Sequence, residues 1–294
     1  MDNTEISINN YINDDLSICR EERQYALYLS NILRYYGKAE HRRSLDTDHR
    51  EVLTGIFQKS GICSGEIPDG LEVLNVFYEV TFMRDFLERN RRIYLASKGN
   101  DISLICRNQS FQPSDHHLSD MNKSFNKKLL DYAGSVIRDD YGVSIDYDDK
   151  DISEVNYGHN DIPIKASGGN VHLAEEAKFL IRSMMNAKPD LAVIYALDDS
   201  LYLKFIECKF ESAEDRYTDK DKEICFSQTE IQWHIARFLY ENDYLVYYVD
   251  GKDKKIKLSE RMSVPFEITA FDRGKSEDKI AVKDLIDLEK TVFN

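Results

Sequence analysis

The sequence predicts an α/β fold with a mainly helical N-terminal region. Residues 171–249 read in succession as helix, strand, tight turn, strand, helix and strand, and the first half carries apolar stripes at helical spacing. The 294 residues are 42% apolar and 31% charged, globular proportions that supply a sizeable core and exclude wholesale disorder.

From the N-terminus, residues 21–36 place Tyr25, Leu29, Ile32 and Leu33 on one helical face, and Gly37 follows as a stop. Residues 71–90 are expected to form a second helix, with Leu74, Phe77, Val80, Phe82 and Phe86 apolar. A polar loop over 108–120 leads into a helix over 119–139, with Phe125, Leu129, Tyr132 and Val136 on its inner face. The next stretch, 139–161, holds eight acids against one base, Lys150. It lacks the D-x-D-x-D-G spacing and closing Glu of a calcium loop, so it reads as a solvated loop around a short strand over 143–147. After the turn ASGGN at 166–170, Leu173, Ala177, Leu180, Ile181 and Met184 stripe a helix over 172–185. LAVIYAL at 191–197 is a buried strand, Asp198-Asp199-Ser200 a hairpin turn, and LYLKFIECKF at 201–210 the returning strand. Residues 227–240 read as a helix with Ile231, Ile235, Phe238 and Leu239 inward, and YLVYYV at 244–249 as a third strand. The expected division is 1–118 as a helical region with a substrate-recognition or assembly role, and 119–294 as the domain that carries the chemistry.

Lys and Arg total 39 and Asp and Glu 53, a net charge of −14. That balance disfavours a generic nucleic-acid coat, which would be basic, but not an enzyme that holds nucleic acid in a local basic cleft. No apolar run approaches the roughly 18–20 residues that span a bilayer, so no membrane partner is expected. Residues 1–10 are polar and acidic and do not read as a secretory signal. The five cysteines are scattered without a CxxC pair, and the seven histidines show no i, i+4 pairing. Neither a disulfide framework nor a zinc or iron–sulfur site is indicated, and a reducing cytoplasm is the simplest compartment.

The strongest chemical signal is KPDLAVIYALDDSLYLKFIECK at 188–209. Asp190 opens one apolar strand, while Glu207 and Lys209 lie on the next, on the same face because strand side chains alternate. A short hairpin brings Asp190 beside them. Charges inside an apolar strand are costly unless they pair or serve a site. A surface Glu–Lys pair would explain an isolated E-x-K. It explains poorly a Pro-Asp before one strand, a hairpin, and E-C-K within the next. Two converging carboxylates repel each other and suit a hard cation, Mg²⁺ or Mn²⁺, with the backbone carbonyl of Cys208 near enough to complete its shell. Such a cation polarises a phosphoryl oxygen and acidifies a bound water, and the Lys209 ammonium stabilises developing charge.

Pro189-Asp190, sixteen intervening residues and Glu207-Cys208-Lys209 together resemble the PD-(D/E)XK nuclease superfamily. The resemblance covers roughly residues 171–249 and implies a restriction-endonuclease-like mixed sheet flanked by helices. It makes Asp190 and Glu207 metal ligands and Lys209 the catalytic lysine. The family often adds an acid from the preceding helix, for which Glu175 and Glu176 are candidates, Glu176 preferred. It usually also places a strand between that helix and the Asp-bearing strand. If 177–185 were that strand, neither Glu would serve. The following helix often turns a polar residue to the site. Gln228 and Gln232 share a face there, Gln228 as the candidate and Gln232 equally readable as structural. His234 reads as a packed or surface histidine.

A nuclease must neutralise phosphates. From 84 to 138 the chain carries a net charge of +4, including Arg89, Arg91, Arg92, Lys123, Lys127 and Lys128. FLERNRRIY interleaves bases with aromatics, which suits backbone contact or stacking and equally suits a charged helix end. The function expected is a Mg²⁺-dependent endonuclease acting on DNA, in a restriction or defence role. The alternatives are an RNase or partner-activated nuclease, and a degenerate nuclease fold serving as a binding or assembly module. Two-strand cleavage with one site per chain would favour a homodimer.

Overall fold

The computed structural model describes residues 15–79, 83, 93–98, 101–105, 115–142, 145–147, 162, 164–166, 171–210, 227–249, 252–269 and 280–292. They form an α/β fold of mixed sheets, mostly antiparallel, flanked by helices. Helix α1 (Asp15–Tyr36), the short α2 (Ala39–Arg42) and α3 (Thr47–Lys59) lead into strand β1 (Glu72–Tyr78). Strands β2 (Ile93–Lys98) and β3 (Asp101–Ile105) follow, then helix α4 (Asp115–Tyr141), the small pair β4 (Ile145–Tyr147) and β5 (Ile164–Ala166), and helix α5 (Val171–Asn186). The hairpin β6 (Leu191–Leu197) and β7 (Ser200–Phe210) precedes helix α6 (Gln228–Glu241). Strands β8 (Leu245–Val249), β9 (Lys252–Lys255), β10 (Lys257–Thr269) and β11 (Ile280–Ala281) and helix α7 (Val282–Val292) complete the described chain.

The larger sheet has the order β1-β6-β7-β10-β11. β1, β6 and β7 are antiparallel, while β10 runs parallel to β7 and β11 parallel to β10. Its two faces bury separate cores. Val73, Val76, Leu191, Val193, Ile206 and Cys208 face a core shared with α1, α3 and α7. Ala192, Ile194, Leu203 and Phe205 face a core shared with α4, α5 and α6. The β6–β7 hairpin is a two-residue turn with Asp198 at φ 49° and Asp199 at φ 60°. Aspartate tolerates this left-handed pair, which matches the strand twist and sets the register.

One expectation is corrected. The region 71–90 is, where described up to Glu79, a strand followed by a bend rather than a helix. Glu72–Tyr78 buries apolar residues on both faces, so its run of valines and aromatics lost the alternation that marks a half-exposed strand. That strand lies in one sheet with β6 and β7, which stand on the other side of position 118/119. The expected strand over 244–249 is present as β8, which pairs parallel with β2 in a separate four-stranded sheet, β3-β2-β8-β9, while β10 lies beside β7. The alternative of a strand over 177–185 also falls, since those residues belong to α5. The acidic loop lies mostly outside the described residues.

α1 is tied to the sheet by backbone contacts. Gly37 N–H caps Leu33 O at 2.9 Å, and Gly37 O accepts from Val73 N–H at 3.1 Å. The Arg42 guanidinium donates to the carbonyls of Tyr36, Gly37 and Leu71. A Cβ on Gly37 would meet Val73 Cβ at 2.4 Å and Leu33 O at 2.5 Å, neither of which can swing aside. Gly37→Ala is expected to cost about 2–3 kcal/mol in urea unfolding, as overpacking of a fixed contact does. An unchanged midpoint would mean α1 and β1 are less rigidly joined than drawn here.

Candidate active site

The register builds the site. Leu191 pairs with Ile206, so one step further Asp190 stands opposite Glu207. On the other side Tyr78 pairs with Leu191, so Glu79 stands opposite Asp190. Three neighbouring strands thus bring Glu79, Asp190 and Glu207 into one row. Glu207 and Lys209 lie on the face of β7 that carries Leu203 and Phe205, towards α6. Cys208 points its side chain into the opposite core and is fully buried.

Asp190 Oδ2 accepts the backbone N–H of Cys208 at 2.8 Å. Both carboxyls are pushed above their ordinary range. For Asp190 the main cause is burial, with the Glu79 charge adding to it and the Cys208 N–H and Lys209 opposing it. For Glu207, burial and then the charge of Asp190 raise the value to about 7, against the opposing pull of Lys209. The Glu207 side chain is 6% exposed, and Lys209 Nζ lies 3.7 Å from its Oε1. Lys209 Nζ also donates to Gln228 Oε1 at 3.3 Å, and Gln228 Nε2 donates to Glu207 Oε1 at 2.5 Å. Gln232, buried completely, donates to Glu207 Oε2 at 2.7 Å.

The glutamines are placed by the start of α6. Ser227 caps the helix through a reciprocal pair: its Oγ accepts Glu230 N–H, and Glu230 Oε2 accepts Ser227 N–H. Gln228 and Gln232 then fall one turn apart on the face over Glu207. The structure therefore brings together Asp190, Glu207, Lys209 and Gln228 as expected and adds Gln232.

Glu176 is buried on α5, and Glu175 is exposed and ion-paired to Lys178 at 2.8 Å. Among the described residues no group of three or more His, Cys, Asp or Glu side chains is close enough to hold a metal ion. His234 is a packing residue, its Nδ1 2.8 Å from the Tyr132 hydroxyl. Of the expected nucleic-acid contacts, Lys123 and Lys127 are exposed on α4, and Lys128 Nζ lies 5.0 Å over the Tyr244 ring. Arg89, Arg91 and Arg92 lie outside the described residues.

One acid beside the site escaped the sequence reading. Glu79 follows β1 at φ 49° and donates its N–H to Asp190 O at 3.0 Å. The signal for Glu79 was available only by reading β1 as a strand, since its place follows from register.

The raised Glu207 has a consequence for stability. The native chain retains a proton that the unfolded chain has released, so this group subtracts stability as pH rises from 4.5, its ordinary value, to about 7. In EDTA, Glu207→Gln is expected to reduce the stability lost between pH 5 and pH 8 by on the order of 2 kcal/mol. Urea unfolding at the two pH values measures it. Equal losses in both proteins would mean that Glu207 is not protonated in the native state.

Two buried carboxyls side by side, with a lysine beside them, form a donor set that suits a hard divalent cation, since a cation offsets the burial that raises both. No helix among the described residues is long and apolar enough to cross a membrane. No family model, curated protein or solved structure matches the chain significantly.

Proposed function

We propose that the chain is a metal-dependent nuclease of the PD-(D/E)XK type, hydrolysing phosphodiester bonds in DNA. The observation that carries this reading is the row itself: Asp190 opposite Glu207 across the β6–β7 hairpin, with Lys209 Nζ 3.7 Å from the glutamate. The order of elements supports it. Helix α1, strand β1, the Asp-bearing β6, the E-x-K-bearing β7 and helix α6 follow the order the resemblance requires, with β2, β3, α4, β4, β5 and α5 inserted between β1 and β6. In this reading α1 is the first helix and β1 the strand between it and the Asp-bearing strand.

Asp190 and Glu207 would hold Mg²⁺ or Mn²⁺. When bound, the cation supplies Lewis-acid polarisation of a phosphoryl oxygen and acidifies a ligand water. The backbone carbonyl of Cys208 is a third oxygen donor. In an antiparallel pair a residue's N–H and C=O point the same way, and the Cys208 N–H points to Asp190. The residue opposite Cys208 in register is Pro189, which has no N–H to engage that carbonyl. Lys209 places its ammonium where charge develops on the phosphorane-like transition state and orients the attacking water. Gln232 fixes the rotamer of Glu207, and Gln228 ties Lys209 to it.

Incubation with plasmid DNA and with a labelled RNA, each with Mg²⁺ or EDTA, tests the reading. Divalent-dependent cleavage of DNA supports it, and cleavage of RNA alone reassigns the substrate. No cleavage of either would contradict it and leave the degenerate binding module.

A further inference from the structure

Beside the candidate site lies a second charged cluster that the chemistry above does not use. Glu79 is gripped between two cations: its Oε1 lies 3.0 Å from Arg23 Nε and its Oε2 3.1 Å from Lys188 Nζ. Arg23 comes from α1 and Lys188 from the segment before β6, so one carboxylate joins two elements distant in sequence. The backbone fixes the anchor. Glu79 N–H donates to Asp190 O at 3.0 Å, and Tyr78 OH donates to Arg23 O at 3.2 Å. The anchor is largely covered, its side chain 21% exposed, while Arg23 and Lys188 are 61% and 42% exposed.

An exposed ion pair contributes little to stability, so holding two long cations in one geometry on a strained β1 terminus is poorly explained as a stability device. The arrangement suits a different task. Glu79 engages Arg23 through Nε, and the exposed guanidinium is a planar fork of donors, the chemistry that suits a phosphate. Two positive charges against one negative leave the cluster cationic. Strands lie about 4.8 Å apart, so Glu79 stands one strand from Asp190 and two from Glu207. Along one nucleic-acid strand the charges follow about every 3.4 Å of axis, so the cluster lies within a few phosphates of a bond held at Asp190 and Glu207.

We propose that Arg23 and Lys188, held together by Glu79, form a phosphate clamp that seats the nucleic-acid backbone beside the candidate active site. This inference rests on the nuclease reading and gives that site its substrate grip.

The test measures binding apart from cleavage. The full chain is titrated into a fluorescein-labelled 20-base-pair DNA duplex in Ca²⁺, and anisotropy is read from 50 to 200 mM salt. Arg23→Ala/Lys188→Ala is compared with Lys283→Ala/Lys290→Ala, which removes the same charge from the exposed face of α7. The clamp predicts at least a tenfold loss at 100 mM salt for the first variant and less than twofold for the second. It also predicts a fall of about 1.8 in the slope of log K against log salt, the value for two phosphate contacts. Equal losses in both variants, or no binding by the wild-type chain, would overturn the clamp. Thermal melting checks that the variants are folded, and if the double variant melts early, Lys188→Ala alone is scored for a slope change of about 0.9. Cleavage by the wild-type chain in Mg²⁺ is assayed in parallel. Clamp-dependent binding without cleavage keeps the clamp and contradicts the nuclease reading. Cleavage with binding that ignores Arg23 and Lys188 keeps the nuclease and overturns the clamp.

Discussion

Asp190→Asn is expected to lower Mg²⁺-dependent cleavage by on the order of 10³-fold or more, equivalent to about 4 kcal/mol of transition-state stabilisation. The substitution keeps the shape and an oxygen that can still accept the Cys208 N–H, which Asp190 Oδ2 receives at 2.8 Å. It removes one of the two negative charges that would hold the cation. The fold should not suffer. Burial and the Glu79 charge already raise the Asp190 carboxyl, so its ionised form is paid for by the rest of the structure. In EDTA at pH 8 the variant is therefore expected to melt at or above the wild-type temperature. Loss of cleavage with stability retained is the signature of a functional carboxylate. A variant that cleaves within tenfold of wild type would remove Asp190 from the site.

Lys209→Ala is expected to reduce cleavage by about 10²–10³-fold, the scale of removing one preorganised charge-stabilising donor. A second effect distinguishes this lysine from a surface cation. Lys209 opposes the burial that raises both Asp190 and Glu207. Without it both carboxyls hold their protons to higher pH, so the remaining activity should set in at higher pH and need more Mg²⁺. Lys209→Arg keeps the charge with a different shape and should restore the pH profile more than the rate. A rate loss with an unshifted profile would mean that Lys209 does not act on the carboxyls.

The parts of the site legible in the sequence are those that a single short-range rule fixes. Alternation along a strand sets Glu207 and Lys209 on one face, a two-residue turn fixes the register, and Asp190 then follows. Gln228 was legible because Ser227 and Glu230 mark where the helix begins. Glu79 was not, because its place depends on β1 pairing with a strand that arrives only after the insertion from β2 to α5. β10 escaped notice because it carries Pro265, which reads against a central strand. β11 covers β10 only at Ile268 and Thr269, so Pro265 sits where β10 is otherwise the edge. A helix was expected over 71–90 because apolar residues on both faces of the strand leave Leu74 and Phe77 three apart, across an irregular register at 73/75, a pattern that periodicity alone cannot assign.

Sharing of one divalent cation by Asp190 and Glu207 is tested most directly in crystals soaked in Mn²⁺ at pH 8, with diffraction recorded at the manganese absorption edge. A single anomalous peak is expected, bonded to one oxygen of each carboxylate at metal–oxygen distances near 2.0–2.3 Å, and absent in Asp190→Asn. Well-ordered Asp190 and Glu207 side chains with no anomalous peak between them at saturating Mn²⁺ would contradict it.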